Sequence, residues 1–139
     1  MPTIFTRILT GEIPGEFVFR APRWIGLCDI SPSAPGHCLL VPVAEADHLH
    51  ELPLETLAEL GPHLARLTAA VRVATGCQAL NVIINDGRAA GQEVPHVHLH
   101  VIPRWAEDGK TCGLFGGSRA TATTLSAMGT QLRAAWGQP

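Results

Sequence analysis

Between Val94 and Pro103 the chain reads Val-Pro-His-Val-His-Leu-His-Val-Ile-Pro, and three of its seven histidines, His96, His98 and His100, fall here two residues apart. Apolar residues fill the gaps. Strict alternation is the period of a β-strand, so Val97, Leu99 and Val101 are expected to enter a core while the three imidazoles share the opposite face. The open side of a half-buried strand ordinarily carries Thr, Lys or Glu. Here it carries three groups that titrate near neutrality, so this segment must both edge a core and serve a chemical purpose.

The rest of the chain must supply that core. At 139 residues with 46% hydrophobic content, one domain is expected, with enough apolar material to fold without disulfides or metals. A formal charge of −2 gives no general attraction for a polyanion, which argues against nucleic acid as a partner but leaves room for a small phosphorylated ligand held by local donors. Cys28, Cys38, Cys77 and Cys112 form no C-x-x-C pair, and the first residues lack the pattern of a signal peptide, so a reduced, cytoplasmic protein is expected. No apolar run approaches the ~20 residues needed to span a bilayer, and no membrane partner is expected.

In chain order, Pro2 to Gly11 reads as a short helix, with Thr3 as N-cap, Gly11 as the stop, and Phe5, Ile8 and Leu9 on one side. Glu16 to Arg20 and Arg23 to Asp29 read as a hairpin turning at Ala21-Pro22. A proline-rich loop from Ser31 to Gly36 leads to His37 and the apolar strand Cys38 to Val41. From Leu54 to about Thr75, Leu57, Leu60, Leu64, Leu67, Val71 and Ala74 make one helical stripe. Gly61-Pro62 predicts a kink or two shorter helices there. Ala79 to Asn85 is a further strand, Asp86 to Glu93 a glycine-bearing loop, and about Ala120 to Trp136 a last helix with Leu125, Met128, Leu132 and Trp136 on one side. The predicted class is α+β, with about five antiparallel strands, a main helix and a C-terminal helix.

Four uses compete for the three histidines. They could be satisfied polar residues, a metal site, an anion-recognising row, or a nucleophile with its helpers. On a straight strand His96 and His100 lie ~13 Å apart, too far to share one zinc ion at ligand distances of ~2.1 Å. Attack on phosphorus by one neutral imidazole, with neighbours orienting it and binding phosphoryl oxygens, gives all three a task.

His96-Val97-His98-Leu99-His100-Val101-Ile102 resembles the signature of the histidine triad (HIT) superfamily, H-φ-H-φ-H-φ-φ with φ apolar. Ile4-Phe5 through Gly11-Glu12-Ile13-Pro14, Asp29-Ile30-Ser31-Pro32, Ala34-Pro35-Gly36-His37, and Asn85 with Gly91-Gln92 resemble, in order and spacing, its nucleotide-binding phosphoramidase (Hint-like) branch of bacterial type. The likeness runs from about residue 3 to residue 104 of a single HIT-like domain, with residues from about 105 to 139 as an extension. It implies that His98 is the nucleophile and takes up a nucleotidyl group. His100 and Gln92 would contact the α-phosphate, and His96 and His37 would support them. Asp29 beside Ile30 would accept the ribose hydroxyls, and Asn85 with the Gly91 to Glu93 loop would hold the phosphate. Phe5, Ile8, Ile13 and Leu27 would line the base slot. It also implies an AMP-like purine nucleotide ligand, a homodimer, and hydrolysis of phosphoramidates or adenylates. Hydrolysis of dinucleoside polyphosphates and non-catalytic nucleotide binding are the alternatives.

The chain departs from those relatives at several positions. Thr3 and Thr6 stand where many bacterial members carry a zinc-binding Cys-x-x-Cys. A hydroxyl is a poor zinc ligand, so no such site and no required cofactor are expected, with His48 left without partners and His50 and His63 on the surface. Pro95 replaces a frequent aromatic residue and suits strand entry. Glu93 stands where animal members have serine, and its charge is expected to favour cationic amine leaving groups.

Overall fold

The structure is a computed structural model, and it describes residues 1–111 and 117–136. Helix α1 (Ile4–Leu9) is followed by strands β1 (Phe17–Arg20), β2 (Trp24–Cys28) and β3 (Cys38–Pro42). A 3-10 turn (Leu49–Glu51), helix α2 (Leu54–Thr75), strand β4 (Ala79–Ile84), a second 3-10 turn (Arg88–Ala90), strand β5 (Leu99–Arg104) and helix α3 (Ala122–Trp136) complete the order. The strands form one antiparallel sheet in the order β1-β2-β3-β5-β4. The class read from the sequence, α+β with five antiparallel strands, is the one observed. Residues 1–108 form one compact unit and residues from 109 onward another.

Alternation decides what each face of the sheet buries. From β3, Cys38 and Leu40 point to the side covered by α2, where Trp24, Leu67, Val71, Leu99 and Val101 close the main core. Leu39 and Val41 point to the other side and meet Phe5, Ile25 and Leu27, with Ile8 and Leu9 of α1 packed against them. A strand buried on both faces reads as a continuous apolar run, as Cys38 to Pro42 does. Thr3 caps α1 as expected: its hydroxyl accepts from the Thr6 N–H.

Two expectations are corrected. The alternative of two shorter helices at Gly61-Pro62 does not hold: helix α2 is a single 22-residue helix with Pro62 inside it. Pro62 and Ala58, whose carbonyl lacks the proline's N–H as partner, are both on the exposed side, so that carbonyl faces water and the helix is not broken. The histidine strand is also shorter than the alternation implied, since β5 begins at Leu99 and His96 and His98 precede it in irregular backbone. The His96 N–H donates to the Val94 carbonyl at 2.8 Å, a three-residue turn centred on Pro95, whose fixed φ suits it. The Val97 N–H then donates to Ala46 instead of to a strand neighbour. In the second unit, α3 begins two residues later than predicted, at Ala122 rather than Ala120, and Leu125, Met128, Leu132 and Trp136 are exposed. Cys112 lies outside the described residues.

Candidate active site

His98 is buried beside the start of β5, and its Nδ1 lies 2.8 Å from the His96 carbonyl oxygen. A carbonyl can only accept, so Nδ1 carries a hydrogen, and in the neutral ring the lone pair is the one on Nε2. The Phe5 ring meets His98 edge-on with centroids 5.0 Å apart, and His100 lies 5.0 Å from His98 on another side. An imidazole in this tautomer is a nucleophile without further deprotonation.

The tautomer of His100 is set by a chain of donors that starts in the proline-rich loop. The Ser33 backbone N–H donates to His37 Nδ1 at 2.9 Å, which places the His37 proton on Nε2. That Nε2–H faces His100 Nδ1 at 2.9 Å, so His100 accepts there and carries its own hydrogen on Nε2. Asp29 Oδ2 flanks the pair, 3.3 Å from His37 Nε2 and 3.8 Å from His100 Nδ1, while Oδ1 accepts from the Ser31 N–H. Burial, followed by the neighbouring His98 and His37, pushes the His100 pKa down to about 4 against the opposing pull of Asp29. His100 is therefore a neutral hydrogen-bond donor at pH 7.

Asp29, His37 and His100 bring one ligand atom each within 4.8 Å of one another, close enough for a metal ion. The chemistry of the set does not fit one. A metal-bound His Nε2 needs its lone pair and the proton on Nδ1, whereas the Ser33 N–H at Nδ1 fixes the opposite tautomer of His37.

His96 is fully buried and serves the backbone. Its Nε2–H donates to the Pro42 carbonyl at 2.8 Å, so Nδ1 accepts the Thr3 hydroxyl hydrogen at 2.6 Å. Burial lowers its pKa and keeps it neutral. Thr3 is held in turn by Glu45 through its N–H at 3.0 Å, and the Thr6 hydroxyl donates to the same carboxylate oxygen. These bonds, the Thr6 one foremost, lower the Glu45 pKa. Thr3 and Thr6 are thus engaged with His96 and Glu45. His48 has a partner after all: its Nδ1 pairs with Asp86 at 2.6 Å, which raises the His48 pKa and lowers that of Asp86.

The loop after β4 is held largely by its own hydrogen bonds. The Gln92 side chain is buried and fully engaged, its Oε1 accepting from the Gly87 N–H and its Nε2 donating to the Asp47 and Val94 carbonyls. The N–H groups of Gly91 and Gln92 donate to Arg88 and Gly87 within the loop. Gln92 thereby shapes the loop, with its side-chain and backbone N–H groups bonded to carbonyl oxygens. Asn85 is half-buried against Gly91, whose φ of 92° suits glycine alone, and Glu93 is exposed. Phe5 and Leu27 are buried in one cluster with Ile8 packed on it, and Ile13 is half-buried. At Gly15 a Cβ would stand 2.5 Å from Ile8, so glycine is required beside that cluster. Ile30 is 97% exposed and stands outside it.

Ser33, Pro42 and Glu45 were not singled out from the sequence. Two act through backbone atoms, which carry no side-chain signal, and Glu45 lies 42 residues from Thr3.

A family profile described as the HIT domain matches residues 10–107. An uncharacterized HIT-like protein of Methanocaldococcus jannaschii is 37% identical over 107 residues, which span 77% of this chain and 82% of that protein. The adenosine 5′-monophosphoramidase of Schizosaccharomyces pombe is 36% identical over 108 residues, 78% of each. The crystal structure of the histidine triad nucleotide-binding protein from Candida albicans matches with a TM-score of 0.87 at 27% identity, covering 97% of each chain. With the three histidines, the five-stranded sheet and these likenesses together, the chain belongs to the histidine triad (HIT) family.

Proposed function

We propose that the protein is a nucleotide-binding hydrolase that acts on the α-phosphate of nucleoside phosphoramidates or adenylates through a nucleotidyl group carried on His98. The observation that carries this reading is the His98 Nδ1 bond to the His96 carbonyl, which puts the lone pair of the neutral ring on Nε2. In the first step His98 Nε2 bonds to phosphorus as the bond from phosphorus to the leaving amine or acid breaks, and the leaving group departs with a proton from solvent. In the second step water attacks phosphorus, the bond to Nε2 breaks, the nucleoside monophosphate is released, and the water's proton passes to solvent. The His100 Nε2–H stabilises charge on the phosphoryl oxygen in both steps. His37 and His96 hold the two reacting rings in their tautomers. Asp29 is assigned to the ribose hydroxyls, Asn85 to the phosphate end, and Phe5, Ile8, Ile13 and Leu27 to the base. The scheme asks for no metal and takes place in the cytoplasm. β4 is an edge strand with Val82 exposed, which suits pairing with a second copy in a homodimer.

The test uses the wild-type protein and His98→Ala with adenosine 5′-phosphoramidate, a diadenosine polyphosphate and AMP. The expected result is AMP release from the phosphoramidate by the wild type, lowered at least about 10³-fold in the variant while AMP still binds. Preferential cleavage of the diadenosine polyphosphate would assign the other hydrolase activity. Binding without turnover would make the protein a nucleotide binder. At Glu93, replacement by serine is expected to weaken the preference for amine over anionic leaving groups, read as the ratio of kcat/KM values.

A further inference from the structure

Cys28 and Cys38 are uncommitted to the site, yet they face each other directly across the β2–β3 ladder. The hydrogen-bond phase of that ladder fixes what kind of rung they occupy. Bonds from the Asp29 N–H to His37 and from the Val43 N–H to Arg23 mark the 29/37 and 23/43 rungs as hydrogen-bonded. Alternation along an antiparallel pair then makes 28/38 a non-hydrogen-bonded rung, where Cα atoms lie about 4.5 Å apart and side chains on one face come closest. That separation falls within the range disulfides accept, about 4.4–6.8 Å. Both thiols are free; Cys28 is exposed at the strand end and Cys38 is buried.

We propose that Cys28 and Cys38 are a redox site, closing to a cross-strand disulfide when they meet a small disulfide oxidant such as oxidised glutathione and tying that state to the neighbouring Asp29–His37 rung. The exposed Cys28 reacts first. Its thiolate attacks one sulfur of the oxidant, the oxidant's S–S bond breaks, and one glutathione leaves as thiolate. Cys38 then gives its proton to water and its sulfur attacks Cys28, displacing the second glutathione. Two protein thiols are oxidised and one disulfide is reduced to two thiols, which take up the two protons. Burial, with Cys28 beside it, pushes the Cys38 thiol up to about 12, so Cys38 is suited to the second, intramolecular step and not to the first. The new bond would clamp the strand ends one rung from the Asp29 N–H bond to His37, and so bear on the His37–His100 contact.

The full-length protein incubated with excess oxidised glutathione tests this without any assay of turnover. Non-reducing mass spectrometry should show the loss of two hydrogens. Cleavage on the N-terminal side of Asp29, which separates the two cysteines, should leave their peptides linked. Cys38→Ser should stop at a glutathione adduct on Cys28, and Cys28→Ser should give neither product. The ring resonances of His37 and His100 should shift on oxidation and return with dithiothreitol. A lasting adduct on Cys28 with Cys38 still free, a link to Cys77 or Cys112, or no reaction would overturn the site. A closed disulfide with unmoved histidine resonances would overturn its tie to the rung.

Discussion

His98 and His100 stand two residues apart and differ because of what touches their Nδ1 atoms: a carbonyl oxygen in one case, the Nε2–H of His37 in the other. The first leaves Nε2 of the neutral ring with a lone pair and the second leaves a hydrogen there, which suits one ring to nucleophilic attack and the other to donating a hydrogen bond. This difference has a pH signature. Since the folded His100 pKa of about 4 lies below the ordinary 6.5, the unfolded chain binds more protons between those values. Stability from this group is complete above pH 6.5 and declines as pH falls toward 4, by on the order of 3 kcal/mol; His96, shifted the same way, adds to the decline. A urea-denaturation series from pH 7.5 to 4.5 checks it, with His100→Gln expected to flatten the curve. At Thr3, replacement by valine strands the buried Nδ1 of His96 and should cost roughly 1–3 kcal/mol and lower kcat, with serine restoring both. The alternation exposed the histidines themselves. What they donate to and accept from was hidden, because Thr3 lies 93 residues from His96 and the remaining partners are mostly backbone atoms.

At the scale of elements, apolar periodicity read well wherever a whole face is buried. The stripe through Leu67 and Val71 placed α2, and the run from Cys38 placed β3. It failed where local geometry overrides pattern. The alternation through His96 reaches back beyond the start of β5 at Leu99, where the Pro95 turn and the Ala46 acceptor replace a ladder, and it still sends Val97 into the main core and His96 and His98 against Phe5. Of the kink or two shorter helices foreseen at Pro62, the division into two did not form, since the sequence does not say that the orphaned carbonyl would face water. The connection from β2 to β3 brings a sharper prediction. Gly36 has φ 95°, and a Cβ there would stand 2.4 Å from Thr75 at the end of α2. Gly36→Ala should therefore destabilise by roughly 1–3 kcal/mol, and as Gly36 adjoins His37 it should also lower turnover. Thermal melts beside kinetics separate the two effects.

For the molecule as a whole, the five-stranded sheet, its two helices and every residue assigned to the site lie within residues 1–108. The family match spans residues 10–107, almost the same extent. A chain ended at residue 111 should thus unfold cooperatively and retain turnover, as denaturation and kinetics would show; loss of either would give the later residues a part in folding or catalysis. Composition and periodicity conveyed the class and strand number because they are properties of the whole chain, whereas the donor chain from Ser33 through His37 to His100 exists only once β3 and β5 are paired. The central claim is that His98 Nε2 carries the nucleotidyl group. Rapid acid-free quenching of the protein with adenosine 5′-phosphoramidate, followed by peptide mass spectrometry and phosphorus NMR, tests it most directly. The account predicts an AMP adduct on His98, bonded through Nε2 and absent from His98→Ala; turnover without any adduct, or an adduct on His96, His100 or another residue, would contradict it.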